Sequence, residues 1–291
     1  MAITAKQLVN AFQLSLVGDE EAQIFGLGNS GSSDRNALYW TKNVDFLKGV
    51  TDGTVICKRT DFEQIHPNAA VTYLLCDNAR LTFSKVVYRF FKNLLPDYET
   101  NYVEDFRARG DLSIGQNVFI GENVEIGLGT KIAPNVVIYP KTKIGQNCLI
   151  QVGASIATEG LGLEKDPETN TLIKFPQIGG VILEDFVEIG PYSTIRRSAL
   201  NDTIIGKSTK IGSLCNVGHN CVLGENNIIT CNVIIAGSTK IGNDVFLGVS
   251  SSIKQGGNIG SNATIGQGSV VLKHVPEGET WAGNPAKKID R

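Results

Sequence analysis

The chain has 291 residues, 27 basic against 29 acidic side chains, and a formal charge of −2. That length buries a substantial core and accommodates two domains, while near-neutrality without a basic run offers nothing to a nucleic acid. No stretch of about 18 apolar residues appears, and no basic segment leads into an apolar core at the N-terminus, so a soluble, cytoplasmic protein is expected.

Residues 1–96 carry most of the aromatic side chains and read as an α/β domain. Thr4 is placed to cap a helix whose Leu8, Val9 and Phe12 share a face. Short strands are expected around Gln23–Leu27, Leu38–Trp40, Thr54–Lys58 and Thr72–Leu75. Phe83, Val86, Val87, Phe90, Phe91 and Leu94 follow at helical spacing and stop before Pro96. Trp40, Asn43 and Phe46 group aromatic faces around an amide able to read a pyrimidine edge, with core packing an equally good account of Trp40. The polar segment 97–111 reads as a linker.

From 112 to 275 an aliphatic residue recurs every sixth position, through Ile114, Ile120, Ile126, Ile132, Ile138, Ile144, Ile150 and Ile156, and again from Ile205 to Val271. A period of six is neither helical nor a simple strand alternation, so each hexad is one short strand plus a corner, and three hexads make one coil. The fold class expected is mainly β: a parallel β-helix preceded by a small α/β domain. Small or β-branched residues two positions before each anchor, Cys148, Cys215 and Cys221 among them, face the inside of the prism. Gly115, Gly121, Gly206, Gly212, Gly224, Gly242, Gly260 and Gly266 follow their anchors, where a corner is expected to need a permissive backbone. Cys148, Cys215 and Cys221 are read as core residues, Cys57 and Cys76 lie in apolar runs, and Cys231 has no CxxC partner, so no metal site is expected, nor a tightly bound cofactor.

Two interruptions break the period, one between Ile156 and Leu183 and one near 198–202, and interruptions of a solenoid are where sites are placed. His219 sits two residues after its anchor, and Gly237 occupies the same slot one coil on, about 4.8 Å away. An imidazole beside a main-chain N–H resembles a minimal acyl-transfer site, with the base taking a proton from an attacking amine or hydroxyl. A surface histidine bonded to a neighbouring carbonyl is the competing account. Cys221 points inward and is a poor nucleophile. Arg196, Arg197 and Lys174 can grip a pyrophosphate, although paired arginines also serve as solvated or intersubunit ion pairs.

Several segments together resemble one family. Leu38-Tyr39-Trp40-Thr41-Lys42-Asn43-Val44-Asp45-Phe46, Lys174-Phe175-Pro176-Gln177, Val217-Gly218-His219-Asn220 and Ala236-Gly237-Ser238 are similar to segments of the LpxD-like UDP-3-O-acylglucosamine N-acyltransferases, members of the left-handed β-helix hexapeptide-repeat acyltransferases. The resemblance covers about residues 3–275. It implies a left-handed coil, against the usual crossover rule, and a homotrimer with sites between subunits. It further implies His219 as general base, Gly237 as oxyanion donor, and contacts to a nucleotide-linked amino sugar from Trp40, Asn43, Phe46, Lys174, Gln177, Arg196, Arg197 and Asn220.

Three features depart from the family. Its second histidine would fall near Gly256, its Asp-Arg pair is Arg196-Arg197, and the tail at 276–291 ends in Gly283-Asn284-Pro285-Ala286-Lys287, as in short-chain acetyltransferases that use coenzyme A, without the family's C-terminal helices. The expectation is therefore an N-acyltransferase acting on a UDP- or dTDP-linked amino sugar in surface-glycan synthesis, with acyl-CoA as donor. The alternatives are the acyl-carrier-protein-dependent lipid A enzyme and, from another class, a non-catalytic sugar-nucleotide-binding scaffold.

Overall fold

The computed structural model describes residues 2–28, 34–41 and 43–289; Lys42, in the middle of the nucleotide-like segment, lies outside them. The chain divides into two compact units, Met1–Leu95 with Leu161–Pro176, and Pro96–Gly160 with Gln177–Arg291.

The first unit is built on a five-stranded sheet in the order Ser15–Val17, Val71–Cys76, Gly53–Lys58, Ala37–Trp40, Gly26–Leu27, with only the first strand antiparallel to its neighbour. Thr4 caps the helix Ala5–Phe12 in a reciprocal capping box, its hydroxyl accepting from the Gln7 amide and the Gln7 side chain accepting from the Thr4 amide. The aromatic stripe lies on a helix over Ala79–Phe90, beginning four residues before Phe83 because Asn78 Oδ1 accepts the Leu81 amide. A 3₁₀ turn, Lys92–Leu94, finishes the stripe before Pro96. The segment 161–176 forms an antiparallel hairpin, Leu163–Lys165 with Leu172–Lys174. Arg80 pairs with Glu164, Lys85 Nζ lies 2.9 Å from Asp166, and Phe175 stacks on Phe83 at 5.9 Å, all within the first unit.

The second unit is a left-handed parallel β-helix with three sheets. Registers advance by one coil of eighteen residues wherever the period is unbroken, as in Val217 to Ile235 to Ile253 to Val271. Anchors and inward slots fill one continuous core, in which Cys148, Cys215 and Cys221 are buried. Burial pushes the Cys221 thiol up to about 11. The interior is not wholly apolar: Asn227 is fully buried, donates to the Gly224 and Gly242 carbonyls, and accepts from the Val245 amide. Each of its groups is thereby matched.

The reason expected for the corner glycines is corrected. The left-handed corner position falls to Asn117, Asn135, Asn220, Asn226, Asn232, Ser238 and Asp244, among others, at φ 54–61°. Asparagine tolerates that region better than most residues. The glycines that follow the anchors serve close stacking of successive coils: a Cβ on Gly115 would stand 2.5 Å from Pro134 N, and one on Gly206 2.4 Å from Gly224 C. Both ends of the prism are closed by its flanking segments. In 97–111, a helix over Val103–Ala108 buries Val103 against the prism core, and the Asn101 side chain takes the Ile120 amide. In the tail, Thr280–Ala282 extends a sheet and pairs with Lys287–Lys288.

Candidate active site

The strand Asn216–Val217 delivers His219 to a corner, half-buried, and the parallel strand Ile234–Ile235 places Gly237 one layer on. A Cβ added to Gly237 would lie 2.7 Å from both Cε1 and Nε2 of the His219 ring. Glycine is required there because the imidazole occupies the space a side chain would need.

The protonation of that ring follows from its neighbours. His219 Nδ1 lies 2.8 Å from Asn220 Oδ1, and the Ala199 amide donates to the same oxygen at 3.3 Å. An atom that accepts from a main-chain N–H is the amide oxygen and not its nitrogen, so the Asn220 orientation is fixed. His219 Nδ1 therefore carries a hydrogen and donates it, so that in the neutral ring the lone pair is on Nε2, beside Gly237. Asn220 is itself tied down by its own amide, which donates to Thr203 Oγ1 at 3.0 Å.

The Gly237 amide is the second half of the site. In the slot two residues after an anchor, the N–H points off the β-ladder, and side-chain oxygens take it at other corners: Asp185 Oδ1 at Gln146, 2.7 Å, and Asn243 Oδ1 at Glu225, 2.9 Å. Among the described residues the Gly237 amide has no recorded acceptor. Its carbonyl accepts from Gly256, and the His219 carbonyl accepts from Ser238, which hold the layer spacing.

Gly160 forms a wall of the site that the sequence reading left unassigned. A Cβ there would meet His219 Cδ2 at 2.8 Å and Gln177 Oε1 at 2.9 Å, so Gln177, buried, and His219 converge on this glycine. Arg196 braces the same wall, with Nη1 donating to the Glu159 carbonyl at 2.7 Å and Nε to Asn216 Oδ1 at 3.4 Å. Arg197 is fully buried, donating from Nε to the Ala157 carbonyl and from Nη2 to the Pro140 carbonyl. It is thus placed as an interior strut and not on a solvent face beside Arg196. Lys174 is cross-strand partner to Leu163 in the hairpin of the first unit.

In that same unit Trp40 and Phe46 do not form one aromatic group. Trp40 packs on Phe83 and Phe175 at 6.2 and 5.2 Å, whereas Phe46 packs against the cluster containing Tyr39, Val55 and Tyr73. Period-two alternation along Ala37–Trp40 sends Tyr39 and Trp40 to opposite faces of the sheet, which the grouping by sequence proximity overlooked. Asn43 Oδ1 accepts the Phe46 amide and caps the helix Val44–Gly49.

The family model "Hexapeptide repeat of succinyl-transferase" matches residues 111–139 and 238–273. A UDP-3-O-acylglucosamine N-acyltransferase of Polynucleobacter asymbioticus is 30% identical over 243 residues, covering 72% of this chain and 68% of that protein. The same-named protein of Coxiella burnetii is 27% identical over 227 residues, covering 70% of this chain and 66% of its own length. Among solved structures, LpxA from Acinetobacter baumannii matches with a TM-score of 0.55 and 31% identity, covering 62% of this chain and 67% of that one. The chain thus spans about two thirds of the length of these relatives.

Coil, repeat and sequence kinship together define a hexapeptide-repeat acyltransferase. More narrowly, the chain belongs to the UDP-3-O-acylglucosamine N-acyltransferase family.

Proposed function

We propose that this protein transfers an acyl group from a thioester to the amine of a UDP-linked 3-O-acylglucosamine, with an acyl carrier protein as donor. The observation that carries the chemistry is the His219 ring, held through Nδ1 by Asn220 Oδ1 with Nε2 facing the Gly237 slot. As the neutral amine attacks the thioester carbonyl, the C–N bond forms and Nε2 takes the amine proton, while the Gly237 N–H holds the developing oxyanion. Collapse breaks the C–S bond, and the leaving thiolate recovers that proton from the imidazolium. Gln177, Arg196 and Gly160 line the acceptor side.

The carrier-protein donor replaces the coenzyme A expectation for two reasons. The relatives are named UDP-3-O-acylglucosamine N-acyltransferases, the reaction of the carrier-protein alternative. The Gly283–Lys287 tail also has a structural task, since the Ala286 amide donates to the Val270 carbonyl and Trp281 pairs with Ile265 to extend the prism. Its likeness to acetyltransferase tails is thus accounted for without a donor. Parallel assays with a hydroxyacyl carrier protein and with acyl-CoA of the same chain decide this, the product being read by mass spectrometry as an amide. Preference for the carrier protein is expected. Faster transfer from acyl-CoA would restore the coenzyme A reading, and nucleotide-sugar binding without turnover from either donor would leave a scaffold.

A further inference from the structure

We propose that Arg197 is a positioning residue for His219: from a fully buried corner position its guanidinium holds the two backbone walls that set the orientation and tautomer of the imidazole. This rests on the reading of His219 as the base. A fully buried arginine is unusual, and Arg197 is the bulkiest of the fully buried side chains among the described residues. Burial opposes its charge and lowers its affinity for the proton, while Tyr98, Glu159 and Tyr139 act in the other direction. Such a group is retained where its donors have work that an apolar side chain cannot do.

That work is visible at both of its acceptors. The Ala157 carbonyl accepts from Nε at 2.8 Å and the Pro140 carbonyl from Nη2 at 2.7 Å. Ala157 stands at the register shift where the first interruption begins, with φ 62°. Three residues on is Gly160, packed against the imidazole. Arg197 therefore fixes the root of the first wall, and Arg196 fixes Glu159 along the same wall. The second wall starts at Arg197 itself: Ser198 donates to the Gly180 carbonyl, and Ala199 donates to Asn220 Oδ1, the atom that fixes the proton on His219 Nδ1. One side chain thus anchors the strand ends on both sides of the base, at the two places where the hexad is broken.

The test is spectroscopic and kinetic together, on the full chain. Only three histidines are present, so ¹⁵N-histidine labelling resolves the His219 ring. The wild type is expected to show neutral His219 as the Nδ1–H tautomer. Arg197→Met, which keeps volume but removes the donors, is expected to move it toward Nε2–H. In the same variant kcat should fall ~10–100-fold, as small misplacements of a catalytic group do, with the acceptor KM within about twofold. Asn220→Leu should reproduce that spectrum. If Arg197→Met fails to fold, Arg197→Lys carries the test: it reaches one carbonyl only and is expected to give mixed tautomers and a smaller fall in kcat. A folded Arg197 variant of lower Tm with the wild-type tautomer and kcat overturns the proposal. Undiminished turnover of His219→Ala would instead remove the base reading, leaving the tautomer coupling to be decided by the spectrum alone.

Discussion

The two units use opposite means of placing a side chain. In the β-helix, every position is set by a coil of eighteen residues, so His219 and Gly237 meet because they share a slot one layer apart. In the first unit nothing repeats, and placement follows from strand alternation and from what the hairpin 161–176 packs against. The comparison teaches that the unbroken repeat sets the base beside the amide, while its interruptions supply the wall and the bond that orient the base. His219, Asn220 and Gly237 lie in unbroken coils, whereas Gly160, Arg197 and Ala199 lie at the breaks in the hexad.

The sharpest way to break that comparison is to fill the one-layer gap. Gly237→Ala inserts a Cβ against the ring, displacing either the base or the amide, and kcat should drop ~10²–10³-fold. Circular dichroism and Tm should stay close to the wild type, because the added methyl faces outward from the core. Ile235→Ala, two residues earlier at the end of the preceding strand, should do the reverse. Ile235 is an interior anchor, and its truncation should cost about 2–5 kcal/mol in denaturant unfolding with chemistry little altered in the folded fraction.

Smaller effects are expected in the first unit. The Lys85 ammonium bonded to Asp166 holds that carboxyl below its usual range. A depressed folded pKa means that the contribution is present above the unfolded value, ~3.9, and is lost as pH falls through the folded one. Hydrogen exchange in residues 163–174 should therefore rise below about pH 4 in the wild type, and Lys85→Met should show that faster exchange already at pH 6. The prism amides should change in neither case.

The coil, its inward slots and the stacking of Gly237 on His219 were legible because a strict period converts directly into three-dimensional register. The role of Asn220 was legible only as a motif match; its partner Ala199 lies across an inserted stretch, and no spacing rule links residues on either side of an insertion. Arg197 was misleading for a related reason. Next to Arg196 it reads as a surface pair, yet beside the register shift one of the two consecutive arginines is fully buried. The separation of Trp40 from Phe46 was within reach of strand alternation, since Leu38–Trp40 already sends Tyr39, which packs in the Phe46 cluster, and Trp40 to opposite faces. The corner glycines were legible as necessary but not for the correct cause, since the close approach of successive coils is a property of the stack and not of one hexad.

The measurement that tests the central claim most directly is the single-turnover rate of acyl transfer to the nucleotide-linked amine in His219→Ala, compared with wild type at matched fold and saturating substrates. The account predicts a fall of ~10²–10⁴-fold, the usual contribution of a general base. A rate equal to that of the wild type would contradict it.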